Sequence, residues 1–588
     1  MYFSERCKIL AHIITGGADL KYDSLAVVPL GGQSEHGQVL WALIYAGQIL
    51  LIDAGAAYPT ADLPGVDLLL PNTNFLEANE ERILALALTN AHEEHCGGVS
   101  YLLHHCRIPK IMGPRYVAAF LAQCAIGGSP DKGFACPDVD TIEMRHPYKI
   151  GPFEVEWIQV NDAIADACAL RISTPEGTIV YTSSFKLDQT PVDGRLADVA
   201  RLAQTGDNGV LLLISDSAGA EAAGYTPSEK AVVPALKKQI RKASGRVVVV
   251  LPGSNTHRLQ ILFDIAKATG RKVVVLGETL IRTTLSAAIT GNLVYDRSIE
   301  AGLDSLSSLP DNKVLIVATG LEGDPMDILG ELAYGRNKDV TVKEGDTVIY
   351  SAEIYAGRLR LMANILDQFL SLGVHTVQGP RANVHVSKHA SREELKLMLS
   401  IINPKFFVPA LGEGRHIMHH AQLAIDWGMP SDAVLPLKNG DILQIDNGLA
   451  QVIGTIESAA VLFNRDQGEK VTTFSVNERR NLSNEGIVTV GLVVDRSGKL
   501  VHGPTIEVGG SGFMLAPEWQ ACIGDVRNNI LATVERLANG KGSDATYEFA
   551  ALRAAVRETS VKTIRSKLQA KPVVQVVLHE ISTTTPLQ

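Results

Sequence analysis

Short runs of buried-strand character recur along most of this chain, and they decide what it can fold into. Leu25–Pro29, Gln48–Ile52, Ile83–Leu88, Thr178–Thr182, Gly209–Ser215, Arg246–Leu251, Lys272–Leu276, Lys313–Ala318, Thr347–Ser351 and Phe406–Pro409 are rich in Val, Ile and Leu and are bounded by Gly, Asp, Ser or Pro. Helical patterns over Ser228–Ala243, His257–Thr269, Arg358–Ser371 and Arg392–Ile402 lie between several of them. Strands that are apolar on both faces, joined by crossover helices, predict an α/β protein.

The texture changes along the 588 residues. Paired strands with short Gly-containing turns dominate up to residue 220, consistent with a sheet sandwich, and residues 221–380 read as regular βα units. Periodicity lapses after Asp446, so residues 451–475 are expected to form a connector. Ile487–Asp495 and Leu500–Val508 then make a hairpin-like pair around Arg496-Ser497-Gly498. Helical stretches Ala516–Ala538 and Asp544–Ala570 and a strand Val573–His579 complete a small α+β terminal domain.

No apolar run approaches the roughly 18 residues of a membrane span, and the first residues lack a secretory pattern. A soluble, cytoplasmic chain with no membrane partner is expected. Seven cysteines without a CxxC pair point to free thiols and give no metal signature. A net charge of −10 argues against nucleic acid in bulk, yet from Val476 onward 13 Lys+Arg outnumber 11 Asp+Glu. Within that region Arg553, Arg557, Lys562, Arg565, Lys567 and Lys571 oppose Glu558 alone. They read either as a solvated helix face or as an RNA-backbone patch.

The strongest local signal is a strand followed by Thr89-Asn90-Ala91-His92-Glu93-Glu94-His95-Cys96-Gly97-Gly98 and a helix. Imidazole and carboxylate groups clustered after a buried strand are how hydrolases hold zinc. Taken alone, two histidines at a helix start fit solvated side chains at least as well.

The wider pattern of strings resembles the ribonuclease J family of the metallo-β-lactamase superfamily, which carries a β-CASP insertion. The likeness rests on Pro29-Leu30-Gly31-Gly32, Leu51-Ile52-Asp53-Ala54-Gly55, Thr174-Pro175-Glu176-Gly177-Thr178, Ser215-Asp216-Ser217 and Gly224-Tyr225-Thr226-Pro227-Ser228-Glu229. Ser254-Asn255-Thr256-His257-Arg258, Glu344-Gly345-Asp346-Thr347-Val348, His385-Val386-Ser387-Lys388-His389-Ala390-Ser391 and Gly412-Glu413 continue it in order. The resemblance implies a metallo-β-lactamase αββα sandwich over 24–220 and 381–450, after an N-terminal extension at 1–23. A β-CASP α/β domain is implied at 221–380, with the linker at 451–475 and an α+β C-terminal domain at 476–588.

The same resemblance implies RNA hydrolysis by two zinc ions held by a His-x-His-x-Asp-His motif, a later His, a bridging Asp and a last His before Gly-Glu. Position by position, His92 and His95 are retained, and Glu94 replaces the motif's Asp. Asp162 stands for the later His, while Asn90, Ser184 and Leu411 replace the first His, the bridging Asp and the last His. The expectation is a degenerate centre: no cofactor at full occupancy, or one divalent ion (Zn, Mg or Mn) at His92, Glu94, His95 and Asp162. Phosphodiester hydrolysis is then impaired or lost, and the alternative is an active 5′-3′ exo-/endoribonuclease with a single or rearranged metal.

By resemblance, His385, Ser387, Lys388 and His389 form the turn that meets the RNA 5′ phosphate, where Lys388 replaces the family's Gly. Lys388 would either add a phosphate contact or plug the pocket. His257 is expected near the RNA backbone, with Ser254 or Asn255 capping its helix. Expected partners are RNA and a second copy in a dimer or tetramer, or an intact ribonuclease J in a hetero-oligomer.

Overall fold

In the computed structural model the described residues are 20–59, 63–123, 137–320, 325–354, 358–465, 467–510, 517–539 and 549–581. The expected extension at 1–23 falls outside them as far as residue 19. The chain divides into one unit of residues 1–58 and 69–461 and a second of residues 59–68 and 462–588.

The first unit is built on two facing sheets. One has eight strands, in the order Leu449–Thr455, Asp441–Asp446, Leu25–Gly31, Leu40–Tyr45, Gln48–Ile52, Ile83–Ala87, Ile111–Gly113 and Asp140–Thr141. The other has six: Phe406–Ala410, Leu212–Asp216, Gly177–Tyr181, Cys168–Thr174, Phe153–Gln159 and Pro147–Ile150. Trp41, Leu51, Trp157 and Tyr181 from the two sheets share one continuous core. Indole and aromatic side chains of this size fill the space between sheets stacked about 10 Å apart.

The βα units of 221–380 form a separate five-stranded sheet, wholly parallel, in the order Lys272–Leu276, Val314–Ala318, Val247–Val250, Thr347–Tyr350 and His375–Val377. Alternation decides how its faces are covered. Val247, Val249, Leu315 and Val317 join the core of the sandwich, while Val248, Val250, Ile316 and Val348 pack in a second cluster with Leu332, Ile365 and Phe369. Burial on both faces explains why Val247–Val250 is an unbroken run of valine.

Two departures from expectation have simple causes. The stretch expected as a connector carries the strand Leu449–Thr455, which pairs with Asp441–Asp446 but is largely exposed, so it shows no apolar alternation. The helix Thr473–Glu485 is absent from the sequence reading because Val476 is its one buried residue, leaving no apolar stripe.

The second unit has a three-stranded sheet ordered Leu500–Gly509, Ile487–Asp495, Val573–Ile581 under the helices Pro517–Asn539 and Phe549–Leu568. Ile487–Asp495 alternates strictly, with Val488, Val490, Leu492 and Val494 buried against Val526, Ile530 and Val556. The basic stretch lies on the second helix and is partly neutralised: Lys562 pairs with Glu558 at 2.6 Å and Lys567 with Asp525 at 2.8 Å. Among the described residues no helix is long and apolar enough to cross a membrane.

Candidate functional site

Six strands of the sandwich end at one place. Asp53 follows Gln48–Ile52, Thr89 and Asn90 follow Ile83–Ala87, and Asp162 follows Phe153–Gln159. Ser183 and Ser184 follow Gly177–Tyr181, Asp216 ends Leu212–Asp216, and Leu411 follows Phe406–Ala410. Polar side chains at carboxyl ends of adjacent strands converge because the chain must turn there.

The His-containing turn is clasped by main-chain bonds. Ala54 N donates to His95 O at 2.8 Å, Ala56 N to Glu93 O at 2.9 Å, and Gly98 N to Ala54 O at 2.8 Å. A Cβ on Gly55 would sit 1.7 Å from Glu94 O, so only glycine admits this approach. Beneath the clasp, buried Asp53 accepts from Thr89 N and Oγ1, both at 2.9 Å, from His95 Nδ1 at 2.7 Å and from the Tyr181 hydroxyl at 3.2 Å. This fixes the His95 ring with Nε2 facing the cluster.

The positions singled out in the sequence do come together, but mostly on one another. His92 Nε2 donates to Asp162 Oδ1 at 2.7 Å, and its Nδ1 accepts from Ser254 Oγ at 2.7 Å. Burial pushes the His92 imidazole below its ordinary value, and nearby Lys388 adds to this against the opposing pull of Asp162. Burial pushes the Asp162 carboxyl up, but His92, Lys388 and the Ser184 hydroxyl, which donates at 2.7 Å, hold it below the usual carboxylate range. Asn90 is locked by donating to Ser183 Oγ at 3.0 Å and accepting from His92 N at 2.9 Å. Leu411 is buried with a left-handed φ of 58° and offers no ligand atom. Lys388 is ion-paired with Glu94. Burial raises the Glu94 carboxyl and lowers the Lys388 ammonium, and their mutual attraction overcomes both.

This donor set does not fit two bridged cations. Ligands held at about 2.0–2.2 Å around a tetrahedral ion lie more than about 3 Å apart, whereas His92 and Asp162 are in direct hydrogen-bond contact. Among the described residues no group of three or more His, Cys, Asp or Glu side chains is placed to hold a metal.

The insertion side is held by a buried ionic network. Arg258 donates to Glu229 from Nη2 at 2.6 Å and Nε at 2.9 Å, and to Val384 O at 3.0 Å. Lys186, fully buried, stands 3.8 Å from Glu229 and donates to Ser387 O at 3.3 Å. These contacts position the 385–389 turn. His389 Nδ1 donates to Asp216 at 2.7 Å and Ser387 Oγ accepts from His389 N at 3.1 Å. Burial, with Arg258 nearby, brings His385 down to about 4, and its Nδ1 is buried without a hydrogen bond. His257 is buried at the start of its helix, where Asn255, not Ser254, is the cap and accepts from Arg258 N at 2.8 Å.

Sequence reasoning missed Asp53, Tyr181 and the Ser254 contact. Asp53 carried a signal, a carboxylate at the end of an otherwise apolar strand, whereas Tyr181 and Ser254 carried none.

Two facing sheets, a parallel-sheet insertion and a polar cluster at the strand ends define a metallo-β-lactamase-type fold with a β-CASP domain. Residues 244–369 match the family "Ribonuclease J, beta-CASP domain", 375–433 the "Zn-dependent metallo-hydrolase RNA specificity domain" and 474–581 the "Ribonuclease J C-terminal domain". The chain belongs to the ribonuclease J family. It is 32% identical to ribonuclease J of Synechocystis sp., over 96% of this chain and 88% of that one. It is 34% identical to ribonuclease J of Thermus thermophilus (88% and 89% covered) and 30% identical to that of Mycolicibacterium smegmatis (95% and 97%). A crystal structure of a protein of unknown function from Enterococcus faecalis V583 shares the fold, with a TM-score of 0.51 at 17% identity over 72% of this chain and 100% of its own.

Proposed function

We propose that this chain is an RNA-binding ribonuclease J homologue in which metal-dependent phosphodiester hydrolysis is lost. One observation carries this reading: the two carboxylates left at the ligand positions are already used, Asp162 by His92 and Ser184, and Glu94 by Lys388. Without two adjacent cations, nothing strongly activates water or clamps the attacking and leaving oxygens. The chain then acts in RNA processing through binding, as a dimer or tetramer or in a hetero-oligomer with an intact ribonuclease J.

The test is metal content of the purified protein together with cleavage of 5′-monophosphorylated RNA. About two zinc ions per chain, or turnover that disappears in His92→Ala/His95→Ala, would overturn the proposal. A second reading, hydrolysis with one divalent ion, is favoured by the 3.6 Å separation of His95 Nε2 and Glu94 Oε1, which suits two ligands of a single ion. Turnover in the presence of Mn²⁺ that needs both residues would select it.

A further inference from the structure

We infer that Lys388 is a chain-borne replacement for the family's metal: its ammonium supplies the positive charge that holds Glu94 and Asp162 in place, and removing it opens a site for a divalent cation. The inference rests on the reading that the two-metal centre is gone.

The electrostatics of the cluster require a cation. Asp53, Glu94, Asp162 and Asp216 converge here, and three of them, Asp53, Asp162 and Asp216, are almost wholly buried. Asp53 is met by Thr89, His95 and Tyr181, and Asp216 by His389. Asp162 meets His92 and the Ser184 hydroxyl, and the ammonium in direct contact with Glu94 is that of Lys388. An uncompensated buried carboxylate is strongly destabilising, so the loss of cations at this place has to be met by a charge from elsewhere.

Lys388 reaches it from 294 residues away in sequence. It stands where the resembled His-x-Ser-Gly-His segment has glycine, which carries no side chain and so no ammonium to pair with Glu94. Its backbone is fixed independently: Lys186 donates to the carbonyl of Ser387, and His389 is tied to Asp216. Loss of the lysine side chain would therefore leave the turn in position and expose Glu94, beside His95 Nε2 at 3.6 Å, as a ligand pair for Mn²⁺ or Zn²⁺.

The experiment compares the full-length chain with Lys388→Gly, Lys388→Met and Lys388→Arg. Melting and hydrogen exchange of the segments around residues 92–98 and 384–390 are followed in EDTA and across a Mn²⁺ or Zn²⁺ titration. The unaltered chain and Lys388→Arg should be indifferent to EDTA. Lys388→Gly and Lys388→Met should melt several degrees lower in EDTA, exchange faster in both segments, and recover as the cation is added, with a single ion bound per chain. Adding Glu94→Gln to Lys388→Met should abolish the recovery. Variants as stable as the unaltered chain in EDTA, or a deficit that neither cation relieves, would overturn the inference. RNA turnover by the unaltered chain is scored separately and bears on the non-catalytic reading, not on the response of Lys388→Met to cations.

Discussion

The polar cluster has two sides that have kept different things. On the sandwich side Asp53 is bound to Thr89, His95 and Tyr181, while Asn90, Ser184 and Leu411 bring no charged side chain to the cluster. On the insertion side a fully buried ionic network, Arg258–Glu229–Lys186, still supports the 385–389 turn. Groups that orient other groups are embedded in many bonds at once. Asn90, Asp162 and Ser184 have fewer such bonds: Ser184 donates to Asp162, which also meets His92, and Asn90 donates to Ser183.

The largest effect that would break this contrast lies on the insertion side. Arg258→Met strands Glu229 beside Lys186 alone and should destabilise the first unit by about 3–5 kcal/mol in denaturant unfolding. A loss under about 1 kcal/mol would mean that the network is not what fixes that side. Next, Asp53→Asn keeps the shape but misaligns donors that now face an amide, and should cost about 1–3 kcal/mol. Hydrogen exchange at residues 54–56 and 93–98 should speed up with it. Ser184→Ala removes one bond to Asp162 and should cost about 1 kcal/mol, measurably less than Asp53→Asn. Equal costs at the two positions would erase the distinction between frame and ligand positions.

The smallest effects are pH trends, and they run in opposite directions within one turn. The folded chain holds His389 above 6.5, because Asp216 outweighs the penalty of burial. Its contribution is complete below 6.5 and is lost as pH rises through the higher folded value. His385 is brought down to about 4 by burial, so the unfolded chain takes up its proton first and stability falls as pH drops from 6.5 towards 4. Melting against pH for His389→Gln and His385→Gln should flatten the alkaline and acid limbs respectively. A single variant that flattened both limbs would show that the two histidines titrate as one group.

Much of the frame was legible in the sequence, and the reasons are local. Gln48–Ile52 and Lys272–Leu276 form strands over the expected residues because apolar runs bounded by turn residues encode their own ends. The altered positions Asn90, Asp162, Ser184 and Leu411 were legible only through the resemblance, which supplied the motif they were compared with. The partners of the polar cluster were not legible. The Lys388–Glu94 pair joins residues far apart in the chain, and Ser254 lies 162 residues from the His92 it bonds, so no spacing records either contact. The sequence left Lys388 either as a phosphate contact or as a plug, and the fold pairs its side chain with Glu94.

The clasp between residues 54–56 and 93–98 bears on how such a centre could be re-armed. Its hydrogen bonds run between main-chain atoms, and the tightest approach is secured by the absence of a side chain at Gly55. Exchanging the side chain at 94 therefore leaves these main-chain bonds intact, whereas Asn90 and His95 also hold the turn through their side chains. An engineer re-arming the centre could work at Asp162, Ser184, Leu411 and Lys388 without touching the clasp.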